Sequence, residues 1–248
     1  MCQCISSAPA APSLAPYLPM FDPDAFGDVA FFEALAAIGY RQVLLGGTGA
    51  AGLGRLSAEI RAATDVQVVL YPGGPGGVAD ADLVVLPEVM NSNSHFARPF
   101  GSGPVATAAA IAARGLPYLP VAYFIMAPSS TAGWFYDAGP PPNDKVMLAY
   151  AQYAAMHGFR YLALDYEDPD VPYRPALVQA LARVPGLRLV VSDELTPPRA
   201  REALALGVHT VVTPSNVYED AGDPLRLAAQ MYDVLLRDRA PALAAVAS

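Results

Sequence analysis

Lysine is almost missing from this chain: Lys145 is the only one among 248 residues. Charge of either sign is scarce at 15% of residues, and the balance is acidic, with a net charge of −8. Nucleic acid is therefore a poor partner, because phosphate contacts need clustered Lys and Arg. Any anionic substrate has to be held by backbone N–H groups, Arg, hydroxyls or a metal. Cysteine is equally scarce. Cys2 and Cys4 are the only two, and a C-x-C pair without distal partners reads as free thiols rather than a zinc site. No stretch reaches the roughly 18 uninterrupted apolar residues of a membrane span. The Pro/Ala-rich stretch 1–16 lacks the basic region and continuous apolar segment of a signal peptide. The expectation is a cytoplasmic protein with a flexible leader over residues 1–16 and one domain over 17–248.

What the chain has in plenty is apolar, 54% of all residues, which suffices for a large core. Short apolar runs recur at Tyr17–Phe21, Gln42–Leu45, Val66–Tyr71, Leu83–Pro87, Tyr118–Ile125, Tyr161–Asp165, Leu187–Ser192 and Thr210–Thr213. Several are apolar on both faces, as strands of a parallel sheet are. Ala-rich amphipathic segments separate most of them: Val29–Ile38, Leu56–Ala63, Val105–Ala113, Val146–His157, Pro175–Arg183 and Pro198–Ala205, with Leu225–Arg237 closing the chain. Eight strands alternating with helices predict a (β/α)8 TIM barrel. One interval breaks the alternation. Pro72–Asp82 reads PGGPGGVADAD, too short and too rich in Gly and Pro for a helix, so a loop is expected in place of the third one. The first strand runs into Asp22-Pro23-Asp24 instead of G-x-G-x-x-G, which excludes a dinucleotide fold.

Barrel active sites lie at the C-terminal ends of the strands. Those ends hold Asp22 and Asp24, then Gly46-Gly47-Thr48-Gly49, Asn91-Ser92, Pro128–Thr131, Asp165-Tyr166-Glu167-Asp168, Ser192-Asp193-Glu194 and Pro214-Ser215-Asn216. Carboxylates and hydroxyls dominate. Such oxygen ligands suit Mg2+, which takes one or two carboxylates plus substrate phosphates, and the Gly-Gly-Thr-Gly turn lets backbone N–H groups approach an anion. Each feature also has a plainer reading. Asp-Pro-Asp can be a turn with a helix cap, and Asp165 can be a general base or a buried ion-pair partner. Trp134, in a Gly-flanked loop, can be a lid or ordinary packing. His95, His157 and His209 are scattered and read as structural or surface residues.

In combination these motifs resemble the geranylgeranylglyceryl phosphate synthases of archaea and their bacterial heptaprenylglyceryl relatives. The resemblance runs from Phe21 to Leu235. It rests on Asp22-Pro23-Asp24, LLGGT at Leu44–Thr48, VVLYPGGPGG at Val68–Gly77, Asn91-Ser92, GWFYDAGPPPNDK at Gly133–Lys145, Ala200–Ala203 and Val211–Asn216. It implies a barrel prenyltransferase in which Asp22 and Thr48 bind Mg2+, while Gly46, Gly47, Asp24 and Asn91 surround the diphosphate. It implies Asp165 as the base on the acceptor hydroxyl, Tyr123 and Trp134 as groove or lid residues, and a possible homodimer.

The departure from the family lies where the acceptor binds. Ser192-Asp193-Glu194 stands for Gly-Gly-Gly, Pro214-Ser215-Asn216 for a Gly-Asn pair, and Tyr166-Glu167-Asp168 for a Gly-rich stretch. Tyr166, Ser192, Asp193, Ser215 and Asn216 become the candidate acceptor residues, and Arg98 and Arg174 the candidate anion partners. A carboxylate at the old phosphate site repels a phosphate there. The pattern resembles the branch serving phosphoglycolipid antibiotic assembly, in which farnesyl from its diphosphate is joined to 3-phosphoglycerate. The alternatives are a glycerol 1-phosphate prenyltransferase of the ordinary type, a non-catalytic prenyl-lipid-binding barrel, and a phosphate-binding isomerase or aldolase. The last is weakened by the lost glycines and by the lack of a strand-end lysine.

Overall fold

The computed structural model describes residues 12–47, 49–166, 171–193 and 196–237; Thr48, Glu167, Asp168 and Glu194, all named above, lie outside them. Among the described residues eight parallel strands close into a barrel in sequence order. They are β1 (Tyr17–Phe21), β2 (Gln42–Gly46), β3 (Gln67–Tyr71), β4 (Leu83–Val89), β5 (Tyr118–Ile125), β6 (Tyr161–Asp165), β7 (Arg188–Ser192) and β8 (Thr210–Thr213). The helices are α1 (Val29–Ile38), α2 (Leu53–Ala63), α3 (Ser102–Arg114), α4 (Thr131–Phe135), α5 (Asp144–Met156), α6 (Pro175–Ala182), α7 (Pro197–Ala205), α8 (Ser215–Glu219) and α9 (Pro224–Leu235). The TIM barrel expected from the sequence is the observed fold. The two short helices α4 and α8 are additions, α4 after a short loop beyond β5 and α8 one residue beyond the end of β8.

Between β3 and β4 the chain makes only one 3-10 turn, Pro75–Gly77. A parallel crossover normally needs a dozen or more residues, and here α3 packs against the turn to cover the sheet that a third helix would shield.

Strand side chains alternate between the barrel interior and the helical layer. On β1, Leu18 packs inward with Met20 beside it, while Tyr17 and Phe21 pack outward. On β6, Tyr161 and Ala163 face in while Leu162, Leu164 and the following Tyr166 face out. The outer layer contains an aromatic knot. The Phe21 ring lies 5.1 Å from Phe26, 5.1 Å from Phe31, 5.5 Å from Phe32 and 5.0 Å from Tyr218. Such pairs contribute about 0.5–1.5 kcal/mol each beyond area burial. The knot pins the end of β1 to α8, so Asp22 and Glu219, each one residue past a knot member, are held at one place on the rim.

The barrel's hold on the chain begins ahead of Tyr17. Ser13–Pro16 cross the N-terminal mouth, with Leu14 buried and Val211 N–H donating to Pro16 C=O at 2.9 Å. No helix among the described residues is long and apolar enough to cross a membrane.

Candidate active site

A cavity of about 280 Å3 opens at the C-terminal rim and descends into the barrel. Its lower wall is built from inward-facing strand residues: Leu18 and Met20 on β1, Val121 on β5, Ala163 on β6, Val190 on β7 and Val212 on β8. Its upper wall is polar, with Asp22, Gly47, Asp165, Ser192, Ser215, Asn216 and Glu219. The alternation explains the division, because Asp22 follows Leu18 and Met20 at a spacing of two, and Asp165 follows Ala163. Among the described residues no Lys, Arg or His lines this cavity.

Asp22 is the acidic centre of one side. Its Oδ1 accepts from the Asp24 N–H at 2.9 Å, the turn geometry expected of Asp-Pro-Asp. Its own N–H donates to Ser215 Oγ at 3.1 Å, and Ser215 Oγ donates to Glu219 Oε1 at 2.6 Å. Burial raises the Asp22 carboxyl above its ordinary value, the Asp24 N–H opposes the rise, and the charges of Asp24 and Glu219 add to it. Gly47 is what lets β2 approach this carboxylate. A Cβ there would lie 2.2 Å from Asp22 Oδ2 and 2.7 Å from its Cγ.

Asp165 is the centre of the other side. It is 3% exposed, and its Oδ2 accepts a short hydrogen bond from the Tyr123 hydroxyl. Tyr71 and Tyr136 complete an aromatic corner, with the Tyr71 and Tyr123 rings 6.1 Å apart. Burial pushes the Tyr136 phenol up to about 12. Burial likewise drives Tyr71 well above its ordinary value, assisted by Tyr136 and by the Asp165 charge. Tyr71 and Tyr136 are therefore neutral at physiological pH, and Tyr123 is the phenol that donates to the carboxylate.

The structure brings together seven of the residues singled out from the sequence: Asp22, Gly47, Tyr123, Asp165, Ser192, Ser215 and Asn216. Others are placed elsewhere. Gly46 is buried beneath Tyr71, whose Cβ would be 3.0 Å from an added Cβ. Asp24 is exposed and contributes its backbone N–H to the site. Asn91 is a structural clamp: its Nδ2 donates to Ile125 C=O at 2.8 Å and to Gly139 C=O at 2.8 Å, and its Oδ1 accepts from Ile125 N–H at 3.1 Å. Its neighbour Ser92 donates to Tyr136 C=O at 2.6 Å. Asn91 and Ser92 thus fix the loop that carries Tyr136. Trp134 is 80% exposed and off the cavity wall, where Thr131 and Ala132 of the same helix stand instead.

Tyr166 and Asp193 are corrected by strand parity. Each is one residue past an inward-facing position, Asp165 and Ser192, and so turns outward. Tyr166 packs in the helical layer with its ring 5.4 Å from Tyr173. Asp193 lies off the cavity wall, and its charge falls on those two tyrosines. Arg98 contacts His95 Nδ1 at 2.8 Å and Arg174 pairs with Asp144 at 2.6 Å, both away from the cavity. His157 stacks on Tyr153 at 4.1 Å, and His209 bonds Thr210 at 2.8 Å, in keeping with the structural reading. A polar residue that the sequence reading missed is Glu219. Its signal was weak: it stands four residues after Ser215, a spacing that shares a helix face only once α8 is known to form.

Comparison with known proteins agrees with this geometry. The PcrB family model matches residues 14–233. The geranylgeranylglyceryl phosphate synthase of Thermococcus gammatolerans is 32% identical over 209 residues, 81% of each chain. That of Pyrococcus abyssi is 32% identical over 201 residues, 77% of each chain. Among solved structures, the (S)-3-O-geranylgeranylglyceryl phosphate synthase of Thermoplasma acidophilum, in complex with its substrate sn-glycerol-1-phosphate, matches with a TM-score of 0.77 at 21% identity, over 89% of this chain and 93% of that one. A thiamine phosphate pyrophosphorylase of Pyrococcus furiosus matches at a TM-score of 0.56 and 14% identity, a likeness of barrel fold alone. The chain belongs to the PcrB family and is an enzyme of the prenyltransferase class.

Proposed function

We propose that the protein joins a short allylic prenyl chain to a hydroxyl of glycerol 1-phosphate as an ether, releasing diphosphate. The observation that carries this reading is the make-up of one cavity: apolar below, with a buried carboxylate, Asp165, and a carboxylate pair, Asp22 and Glu219, at its mouth. In the reaction the bond between prenyl C1 and the diphosphate oxygen breaks. The acceptor oxygen bonds to C1, and its proton passes to the Asp165 carboxylate. Tyr123, donating to Oδ2, fixes the direction in which that carboxylate points. The apolar lower wall takes the hydrocarbon and keeps water from the allylic carbon.

An acidic mouth is a poor seat for diphosphate unless a cation intervenes. Among the described residues no three acidic, His or Cys side chains converge on one point. A pair fits Mg2+, which commonly binds through one or two carboxylates plus substrate phosphates. Asp22 and Glu219 supply that pair, with Thr48 added by the family resemblance. Mg2+ bound there would neutralise the charge that builds on the departing diphosphate.

The relatives' names support the acceptor, and the cavity volume supports the chain length. The sequence-based preference for 3-phosphoglycerate rested on one of two carboxylates, Asp193 or Glu194, facing the acceptor; Asp193 lies off the cavity wall, and Glu194 lies outside the described residues. The relatives are named for glyceryl phosphate products, which favours glycerol 1-phosphate. A volume of about 280 Å3 sits at the low end of ligand pockets, roughly 300–1,000 Å3, which favours a farnesyl-type chain over a longer one. The resemblance also carries the homodimer into this reading. The exposed cluster of Phe100, Tyr153 and His157 is the face we assign to it, and sedimentation of wild type against Phe100→Glu tests that assignment.

The test of function is product mass after incubation with farnesyl diphosphate, Mg2+ and, in parallel, glycerol 1-phosphate, glycerol 3-phosphate or 3-phosphoglycerate. An ether formed fastest on glycerol 1-phosphate and abolished by EDTA is expected. Faster reaction on 3-phosphoglycerate reverses the acceptor assignment, and no ether on any acceptor defeats the reading.

A further inference from the structure

The cavity has a floor, and the floor comes from the segment ahead of the first strand. Leu14 lines the cavity together with Leu18 and is 6% exposed, although it precedes β1 in the chain. Its backbone N–H donates to the Tyr161 hydroxyl at 3.1 Å. Arg188 Nη1 donates to Ser13 Oγ at 2.8 Å and to the same Tyr161 hydroxyl at 3.0 Å. On the opposite side Gln42 holds the segment by both ends of its amide, Oε1 accepting from Ala15 N–H at 2.7 Å and Nε2 donating to Ser13 C=O at 3.2 Å. Gln42, Tyr161 and Arg188 are the first residues of β2, β6 and β7, so the anchors ring the N-terminal mouth.

We propose that Ser13–Pro16 is a plug built across the lower mouth of the barrel, and that Leu14 on it sets the longest prenyl chain the enzyme accepts. The inference rests on the prenyl-transfer reading above and adds where the chain ends. Geometry favours this direction for the tail. Asp22 at the mouth and Leu18 on the same strand are four residues apart, about 13 Å at the usual rise, and Leu14 closes the space beneath. A second hollow adjoins the cavity, sharing Gly73 and Tyr136 with it; it holds only about 20 Å3, and Phe96 lines it. A tail that descends the barrel past Leu18 meets Leu14.

The test compares wild type, Leu14→Ala and Leu14→Phe with an equimolar mixture of geranyl, farnesyl and geranylgeranyl diphosphates and glycerol 1-phosphate, reading product ratios by mass. Leu14→Ala makes room for about three more carbons and is expected to raise the geranylgeranyl-to-geranyl ratio by about tenfold or more. Leu14→Phe is expected to lower it by a similar factor. Opposite shifts cannot arise from a general loss of folding. Ratios within about twofold of wild type in both variants overturn the proposal, as does a shift produced by Phe96→Ala and not by Leu14→Ala. Dissociation constants for the corresponding unreactive thiolodiphosphates provide a readout without turnover. If they shift with Leu14 while no ether forms, the length stop stands and the reaction assigned above falls. If they do not shift, the stop falls whatever the turnover.

Discussion

Gly47→Ala is the smallest change that separates the acidic centre from the rest of the barrel. The added methyl would lie 2.2 Å from Asp22 Oδ2, 2.7 Å from Asp22 Cγ and 2.9 Å from Ala50 Cβ. Non-bonded heavy atoms settle near 3.5–4.0 Å, so the carboxylate has to withdraw by about 1 Å or more. It cannot do so without loosening the bond from the Asp24 N–H to Oδ1. Misplacing a catalytic group by about 1 Å can cost roughly 10²-fold, and that is the expected fall in kcat/KM, accompanied by a higher Mg2+ requirement. Stability should barely move. Gly47 lies outside the left-handed region, and at such a position Ala gains about 0.4–1 kcal/mol through the unfolded chain, which offsets part of the clash. Steady-state kinetics across a Mg2+ titration, with thermal melting alongside, makes the measurement. The double variant Gly47→Ala/Asp22→Ala should be no slower than Asp22→Ala alone, because both act on one group. Activity of Gly47→Ala within about threefold of wild type, or an additive double variant, would refute the reasoning.

Asp165→Asn keeps the shape and removes the proton acceptor, so kcat should fall by roughly 10²–10⁴-fold with prenyl diphosphate affinity little changed; a loss under about threefold assigns Asp165 to structure. Asn91→Ala breaks three bonds to backbone groups and should cost about 3 kcal/mol in denaturant unfolding at roughly 1 kcal/mol per bond. An effect on KM with unchanged stability would restore Asn91 to the diphosphate site. The raised Asp22 carboxyl predicts a pH effect with a definite sign. An acid held above its unfolded value contributes stability at low pH that is lost as pH rises through the folded value. The metal-free protein should therefore lose some stability as Asp22 ionises, and Mg2+ should restore it in the same window. Asp22→Asn should abolish both effects in melting curves taken against pH with and without Mg2+.

The barrel was legible because its evidence is local and repeated. Four of the apolar runs, Tyr17–Phe21, Tyr118–Ile125, Tyr161–Asp165 and Thr210–Thr213, have the observed bounds of β1, β5, β6 and β8. The Gly/Pro-rich stretch after β3 excluded a helix through composition alone. The candidate site was half legible. Position at a strand's C-terminal end marked the rim but not its inner side, which is why Asp165 and Tyr166, or Ser192 and Asp193, were grouped together when alternation allows only one of each pair to face the cavity. The clamp made by Asn91 was not legible because the carbonyls it serves, Ile125 and Gly139, lie 34 and 48 positions along the chain.

By itself, then, the order of residues determined that strands alternate with helices, that β3 and β4 are joined without one, and that Asp22 and Asp165 end strands on the catalytic side. These follow from backbone preference and from apolar spacing, which act over a few residues. Tertiary structure alone decided that Asp22 shares a hydroxyl with Glu219, that Gly47 must lack a side chain to admit that carboxylate, and that Leu14 closes the barrel from below. Each depends on the curvature of a closed sheet, which brings β1 against β8 and carries a segment ahead of the first strand beneath the other seven. No local spacing encodes that closure.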